Sequence, residues 1–238
     1  MEGSPLGVRD AVKQRMSVRA FLRQPVPETV IRSILEDARQ SPSGGNVQPW
    51  QIHVLAGGEL GKLKAVMAER VAIGTLEEPQ YQVYPPRLWE PHRTYRYEVG
   101  EEMYALLGIA REDKAARLQH LNSNFQFFDA PVGLFFSTHR SFGPAQWADL
   151  GIMMQTVMLL AVEEGLGSCA QESWSFWPET VGRFLGLSDD QILFAGMAIG
   201  YPDPSARVNR LRSRRAELEA FVTFRGFAEE VQSAVSAK

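Results

Sequence analysis

The spacing of apolar residues along the first quarter of the chain predicts helices that lead into a strand. Residues Leu6–Arg15 and Pro27–Gln40 show the three- and four-residue spacing of amphipathic helices, and proline suits the opening position of the second. The segment WQIHVLA, residues 50–56, is rich in β-branched and aromatic residues and predicts a strand. A further helix is predicted over Glu59–Ala72.

The second half of the chain continues this alternation after two short helical patches. The segment APVGLFFST (130–138) predicts a buried strand, and Ala145–Glu164 predicts a long helix that is apolar on most sides and therefore almost wholly buried. CAQESW (169–174) and ILFAGMAIGY (192–201) predict two more strands, with a helix over Pro178–Leu185 between them. Mixed helices and strands of this kind predict an α+β fold.

One stretch follows neither periodicity. Residues 77–100 are rich in proline, tyrosine, arginine and tryptophan, and they predict a long irregular loop. A loop of this length inside a compact domain is usually a functional lid or a cover for a partner. Its aromatic residues form a candidate wall for flat substrates, or alternatively cover only the core or a partner chain. They are Tyr81, Tyr84, Trp89, Tyr95 and Tyr97.

Composition excludes several classes of protein. With 238 residues, 45% hydrophobic and 22% charged, the chain predicts one globular domain and not a disordered or fibrous protein. A formal net charge of −3 provides no overall basic field for nucleic acid. The single cysteine, Cys169, and the absence of an apolar leader or an 18-residue apolar run predict a cytoplasmic protein without a membrane segment. The four histidines lack metal-ligand spacing, so no metal is expected.

Arg15, Ser17 and Arg19 occupy alternate positions directly after the first predicted helix. In extended backbone, alternate side chains point to the same side, so two guanidinium groups and a hydroxyl converge on one anion. Guanidinium forks bind phosphate oxygens in pairs, which favours a phosphate. For this motif alone the alternative is a solvated basic helix end.

The segment SPSGGNVQPW, residues 41–50, interrupts regular structure with two prolines and two glycines. Gly44 lets another group approach the backbone closely, Ser43 and Asn46 carry short polar side chains, and Pro42 stiffens the loop. Such a loop can hydrogen-bond the edge of a flat heterocycle. An ordinary turn between helix and strand uses the same residue types, so both interpretations stay open.

Two further polar segments are candidates. GLGSCAQESW (165–174) presents Gln171, Glu172 and Ser173, either as part of a site or as the solvent end of a buried strand. The tail RVNRLRSRRAEL (207–218) is arginine-rich, but it lacks the interleaved aromatics and the basic overall charge typical of nucleic-acid binding. The tail is therefore either a solvated surface or a second phosphate clamp that joins the N-terminal arginines.

Together these motifs, in this order, resemble the nitroreductase family. They are R-x-S-x-R, PSGGNxQPW, GLG followed by QES, GYPDP and an arginine-rich terminus, and they span about residues 8–227, interpreted as one domain with 75–100 as an inserted loop or lid. YPPRLWEP and GPAQWADLG favour the nitrobenzoate-reductase-like branch. The resemblance implies a nitroreductase-like fold, with a central, mostly antiparallel sheet flanked by helices, in an intertwined homodimer.

The resemblance also implies tightly bound FMN at the subunit interface. Arg15, Ser17, Arg212 and Arg214 would hold its phosphate and neighbouring hydroxyls, and Arg19 would approach the pyrimidine side of the ring. The residues expected along the flank and the N5 edge of the ring are Pro42, Ser43, Gly44, Asn46, Asn124 and the backbone of Gln171, Glu172 and Ser173. The family often has glycine where this chain has Ser173, which weakens that assignment.

The implied function is that of an NAD(P)H-dependent nitroreductase acting by a ping-pong, two-electron mechanism. NADH or NADPH would reduce the flavin and leave, and a small nitroaromatic acceptor would then be reduced to the nitroso, hydroxylamine or amine level. No side chain is expected to act as a nucleophile, and no GxGxxG dinucleotide fingerprint follows a predicted strand. The alternatives are quinone or flavin reduction, ene reduction or reductive dehalogenation at the same site, and a non-catalytic FMN-binding protein.

Overall fold

The computed structural model describes residues 6–227 and contains one four-stranded sheet. All pairings are antiparallel, in the order β1-β2-β4-β3. The strands are β1 (Gln51–Ala56), β2 (Val132–His139), β3 (Gly167–Gln171) and β4 (Gln191–Gly200). The predicted α+β class and the antiparallel sheet are therefore confirmed.

Seven α-helices surround the sheet in the described part of the chain. They are α1 (Val8–Gln14), α2 (Glu28–Ala38), α3 (Gly57–Ile73), α4 (His92–Leu107), α5 (Lys114–Asn122), α6 (Pro144–Glu163) and α7 (Pro178–Leu185). The predicted helices match α1, α2, α3, α6 and α7 to within two residues at each end. Glycines in the left-handed conformation end α3, α4 and α7, where a side chain would be strained.

The sheet separates two apolar cores. Because side chains alternate along a strand, Leu134 and Phe136 of β2 enter the core beneath α2 and α6, whereas Phe135 enters the opposite one. The second core is aromatic and includes Phe127 and Trp174, whose ring centroids lie 4.7 Å apart. Both cores therefore draw on the central strand.

A short left-handed turn supports the aromatic core. Three consecutive residues other than glycine, Phe127, Phe128 and Asp129, have φ values of 53°, 52° and 66°. The turn seats the Phe127 ring against Gly133, where an added Cβ would lie 2.6 Å from the ring. A close approach of this kind requires glycine at that position.

Three predictions about the elements are wrong in part. Residues 92–100, predicted to be irregular, begin helix α4, whose side chains are not fully buried within one chain. β3 ends at Gln171, and Glu172–Phe176 form a 3-10 helix instead of continuing the strand. Helix α6 was predicted to be almost wholly buried, but it buries one face only, and Ile152 is 41% exposed. By length and composition alone, this helix could also cross a membrane.

The segment after α3 is fastened to α7 by a buried carboxylate. Glu77, with a side chain 6% exposed, accepts hydrogen bonds from the backbone N–H groups of Glu179 (2.8 Å) and Thr180 (3.1 Å). It also pairs with Arg70 at 3.2 Å. These contacts place a negative charge at the first turn of α7, where the helix dipole favours it.

The next residues cover an edge of the sheet. β3 pairs with β4 only from Gly196 onward, which leaves the preceding part of that edge free. There the Leu193 N–H donates to Gln80 Oε1 at 3.0 Å, and the Tyr81 hydroxyl donates to the Phe194 carbonyl. Two side chains of the inserted segment thus take the place of a neighbouring strand.

Candidate functional site

The segment after α1 runs beside β3 and turns its polar side chains outward. Val18 is 1% exposed, and its N–H donates to the Ser168 carbonyl at 2.9 Å. Ser17 and Ser168 form an isolated parallel bridge, and Gly167 allows the close approach because an added Cβ would lie 2.5 Å from Val18. Since Val18 points inward, its neighbours Ser17 and Arg19 face the other way, as the alternation in the sequence predicts.

One asparagine joins the tail to this segment. Asn209, 8% exposed, accepts a hydrogen bond from the Arg19 N–H through Oδ1 at 2.9 Å. Its Nδ2 donates to the Ala20 carbonyl at 2.8 Å and to the Asp203 carbonyl at 2.9 Å. The three hydrogen bonds found for this side chain all join it to backbone, so the arginine-rich tail is held against the segment after α1 without a ligand.

The arginines of this region are not neutralised by carboxylates. Across residues 6–227, none of the six ion pairs includes Arg15, Arg19, Arg212 or Arg214. Arg212 contacts the sulfur of Met16, which brings its guanidinium to the segment between Arg15 and Ser17. Ser168 Oγ is buried there without a hydrogen-bond partner. A cluster of cations and hydroxyls of this kind fits an anion such as a phosphate. We refer to Arg15, Ser17, Arg19 and Arg212 as the arginine cradle.

Arg214 occupies a different place from the one that the sequence predicted beside Arg212. It lies with Arg215 along a cavity of about 620 Å³ that α4 also lines. Tyr95, Glu98 and Glu102 of that helix face the same cavity. The tail therefore directs Arg212 to the cradle and Arg214 toward an acidic helix face.

The field of Arg19 reaches two titratable neighbours. Burial raises the pKa of the Cys169 thiol, whereas the Arg19 charge and a hydrogen bond with Ser17 act in the opposite direction. Burial lowers the pKa of the His120 imidazole, and the Arg19 charge lowers it further. Arg19 thus acts on the β3 side of the cradle, and the buried thiol is kept protonated and unreactive.

Asn124 and Gln171, two of the predicted site residues, lie in contact with each other. Gln171 Nε2 donates to the Asn124 carbonyl at 2.7 Å, and its Oε1 accepts from the Trp174 indole at 3.3 Å. Because the Gln171 side chain is consumed by these contacts, only its backbone is available to a ligand. Glu172 is exposed and Ser173 half-buried where the 3-10 helix begins, and partial desolvation raises the pKa of the Glu172 carboxyl.

The glycine-containing loop is exposed and has an unusual backbone. Pro42, Gly44 and Asn46 are exposed and Ser43 is half-buried. Gly45, Asn46 and Gln48 have φ values of 58°, 56° and 51°, so two residues other than glycine adopt the left-handed conformation. The Gly44 N–H donates to both carboxylate oxygens of Asp149 on α6, each at 3.3 Å.

Within one chain this loop lies far from the arginine cradle. The loop is followed by Gln51 of β1, which pairs with Ser137 of β2. The cradle lies beside Ser168 of β3, which is level with Val132 of β2 because both residues pair with Ile199 of β4. Five residues of strand separate those levels, about 17 Å, and β1 and β3 are opposite edges, about 14 Å apart in a four-stranded sheet. The structure thus joins the two chain ends and Asn124–Gln171, and leaves Pro42–Asn46 at the other corner.

Sequence reasoning missed two residues that organise these segments. Asn209 lies between arginines in RVNR, and the predicted role of this segment rested on its charged residues alone. Asp149 stands in the otherwise apolar helix α6, and an acidic residue on the buried face of a helix was a signal that could have been used.

Comparison with known proteins identifies the family. The model of the nitroreductase family matches residues 12–201. A chloronitrobenzene nitroreductase of Comamonas testosteroni is 37% identical over 94% of this chain and 99% of its own length. A 4-nitrobenzoate reductase of Pseudomonas putida is also 37% identical, over 91% of this chain and 94% of its own length.

Solved structures show the same relationship. The FMN- and NADPH-dependent nitroreductase NfnB of Sphigopyxis sp. strain HMH has a TM-score of 0.91 and 45% identity, over 93% of this chain and all of that one. The FMN-dependent nitroreductase NfnB of Mycobacterium smegmatis, solved with NADPH, has a TM-score of 0.87 and 29% identity, over 92% and 97%. This chain belongs to the nitroreductase family, in the branch that contains the nitrobenzoate reductases.

Proposed function

We propose that this protein is a flavoprotein oxidoreductase that binds FMN and uses NADPH or NADH to reduce small nitroaromatic compounds. The observation that carries the proposal is the arginine cradle, where Asn209 and Arg212 bring the tail to the segment Arg15–Arg19 and no cradle arginine pairs with a carboxylate within residues 6–227. Two relatives support the same activity: the chloronitrobenzene nitroreductase by its substrate, and the Sphigopyxis NfnB by its named dependence on FMN and NADPH.

Each cradle residue has a distinct proposed role toward FMN. Arg15, Ser17 and Arg212 bind the phosphate and adjacent hydroxyls through charge-assisted hydrogen bonds. Arg19 is held at its N–H by Asn209 and projects its guanidinium toward the pyrimidine side of the ring, where positive charge stabilises an anionic reduced ring. Bound FMN supplies the electron-transfer chemistry, and the residues of this chain bind it, orient it and tune its charge.

The residues along the ring come from two directions in this proposal. The backbone N–H groups at Glu172 and Ser173, at the start of a 3-10 helix, face the N5 edge, with Asn124 beside them. Gln171 is 2% exposed and anchors this edge through Asn124 and Trp174. The loop residues Pro42, Ser43, Gly44 and Asn46 line the flank of the ring. No side chain is assigned as a nucleophile.

A homodimer is part of the proposal, because one chain separates the loop from the arginine cradle. A second copy would bring its own loop to the ring that the first copy binds. Exposed apolar residues support an interface of this kind: Val12 is 51% exposed, Ile152 41%, and Phe221, Phe224 and Phe227 63–77%. Burying such residues is the main driving force of permanent association.

The inserted residues 75–100 are proposed as a lid over the substrate, with Tyr84, Trp89 and Tyr97 available for contact with flat aromatic acceptors. These three side chains are 48%, 62% and 50% exposed in one chain. Tyr81 has another role, since it is packed against Trp147 and Phe194 and covers the edge of β4. We further propose that the protein works in the cytoplasm.

The decisive experiment is spectroscopic and kinetic. Purified protein is expected to be yellow, or to become so on adding FMN, and NADPH should bleach the flavin absorbance under anaerobic conditions. Addition of a nitrobenzoate should restore the absorbance with formation of reduced nitro products. A colourless protein that does not bind FMN would contradict the proposal. Bleaching without any nitro reduction would contradict the assignment of the acceptor but not of the flavin.

Arg15→Ala is expected to weaken FMN binding by about 1.5–3 kcal/mol, because it removes charge-assisted bonds to the phosphate. The measurement is the dissociation constant from flavin fluorescence. Arg183→Ala is the matched control, since Arg183 is an exposed arginine on α7, outside the proposed site. Equal FMN affinity in the two variants would contradict the phosphate assignment.

A further inference from the structure

Asp149 is a second buried carboxylate in the described part of the chain, besides Glu77. It is 7% exposed and lies on the face of α6 that also buries Met153 and Val157. None of the six ion pairs found within residues 6–227 includes it. A buried carboxylate without a cation is costly, because its lost hydration must be replaced by hydrogen bonds.

The hydrogen bonds that Asp149 receives all come from one group. Both of its oxygens accept the Gly44 N–H, at 3.3 Å each, although a carboxylate can accept about four bonds. Gly44 is also the residue where a side chain would meet this carboxylate, since an added Cβ would lie 4.0 Å from Oδ2. The negative charge is thus directed at the loop backbone and at nothing else within residues 6–227.

The loop needs such a contact, because packing does not hold it. Residues 44–48 are exposed, yet Asn46 and Gln48 keep left-handed φ values, which cost about 1–2 kcal/mol for a residue such as Gln48 and less for asparagine. Inside the loop, the Gln48 N–H donates to Ser43 Oγ at 2.9 Å. At its base, Ser41 Oγ donates to Thr156 Oγ1 at 3.0 Å, two turns further along α6. Among the hydrogen bonds within residues 6–227, only those of Asp149 with the Gly44 N–H join α6 to the loop tip.

We infer that Asp149 is a positioning residue, which fixes Gly44 and thereby presents Ser43 and Asn46 to the FMN ring in the conformation required for binding. The inference rests on the proposed function, in which these loop residues line the ring. Asp149 does not touch the cofactor and acts through the Gly44 N–H. Its charge also orients the amide dipoles of the loop, which a neutral acceptor does less strongly.

The test compares Asp149→Ala, Asp149→Asn and Thr156→Val. Asp149→Ala is expected to weaken FMN binding at least about tenfold, the effect of losing a hydrogen bond to a charged group. The apo protein should unfold at the same or a higher urea concentration, because a poorly solvated carboxylate is removed. Asp149→Asn keeps one acceptor oxygen and should restore affinity to within a few-fold. Of the hydrogen bonds of the loop, Thr156→Val removes only the one with Ser41 at its base, and this variant should bind FMN with wild-type affinity.

Two readouts separate a positioning role from a structural one. The visible circular dichroism of bound FMN should change in Asp149→Ala at saturating flavin, since the ring environment is altered. Without FMN, amide hydrogen exchange at Gly44 and its neighbours should accelerate in this variant and not in Thr156→Val. Wild-type affinity and dichroism in Asp149→Ala would overturn the inference. So would an equal effect of Thr156→Val, or unchanged exchange at Gly44, which is measured even if the wild type proves not to bind FMN.

Discussion

Two segments of this protein adopt the left-handed conformation at residues other than glycine, and they are held in opposite ways. The turn Phe127–Asp129 lies in the aromatic core, where Phe127 is 0% and Phe128 6% exposed. The loop residues Asn46 and Gln48 are exposed and touch no core cluster. The conformation of the turn is held by the packing of Phe127 and Phe128, whereas Asp129 is exposed. The conformation of the loop is held by a few hydrogen bonds.

The two segments differ in what offsets the free-energy cost of their left-handed residues. In the turn, the cost is offset locally, because the Phe127 ring gains contacts with Trp174 at 4.7 Å and with Phe135 at 5.5 Å between centroids. In the loop, no comparable contact offsets the cost in one chain. Unfavourable conformations without a packing benefit are concentrated at ligand sites, which agrees with the proposed role of the loop in FMN binding.

Phe127→Ala should have the largest effect on the turn. It removes a fully buried ring that touches Phe135 and Trp174, and core substitutions of this type cost about 3–5 kcal/mol of unfolding free energy. Urea denaturation measures the change. Ser43→Ala, in the loop, is the comparison and should alter stability by less than about 1 kcal/mol. Similar losses in both variants would show that packing does not distinguish the two segments.

Placing valine at each left-handed segment should separate them further, because β-branched side chains tolerate positive φ poorly. Asp129→Val is expected to cost about 1–2 kcal/mol of unfolding free energy, since the buried Phe127 and Phe128 prevent the backbone at the exposed residue 129 from relaxing. Gln48→Val should cost less, because the exposed loop can change conformation, but it should weaken FMN binding. Asp129→Asn serves as the control for lost charge. An unaltered FMN affinity in Gln48→Val would argue against a preformed loop.

The smallest expected effect is on pH dependence near the turn. His120 packs against Phe128, with 5.9 Å between ring centroids, and burial followed by the Arg19 charge lowers its pKa below 6.5. The unfolded chain therefore binds a proton that the folded protein does not, so stability present above pH 6.5 is lost as the pH falls below it. His120→Gln should lose less stability between pH 7.5 and 5.5 than the wild type, as measured by urea denaturation. Parallel losses would contradict this.

The sequence predicted most elements because their periodicities are local. Alternation at Arg15, Ser17 and Arg19 was sufficient to place those side chains on one side, since Val18 provides the buried anchor between them. Helix α4 was missed because its side chains are not fully buried within one chain, so its sequence lacks a clear apolar stripe.

The remaining features of the candidate site depend on contacts between distant residues. The meeting of the two chain ends rests on Asn209, 190 positions from Arg19, and no local pattern marks that pair. The loop that holds the left-handed residues Asn46 and Gln48 is likewise bonded to a distant residue, Asp149, 105 positions from Gly44. Residue types alone left an ordinary turn and a heterocycle-binding loop both open, because the contact with Asp149 leaves no mark in the local sequence.

The contacts of Gln80 and Tyr81 with β4 have a consequence for protein engineering. Exposed strand edges recruit other strands and promote aggregation, and these two side chains shield such an edge at Leu193 and Phe194. Exchange between relatives of the segment proposed as a substrate lid should therefore begin after Tyr81. A graft that also removes Gln80 and Tyr81 is expected to make the protein less soluble, whatever its effect on substrate selectivity.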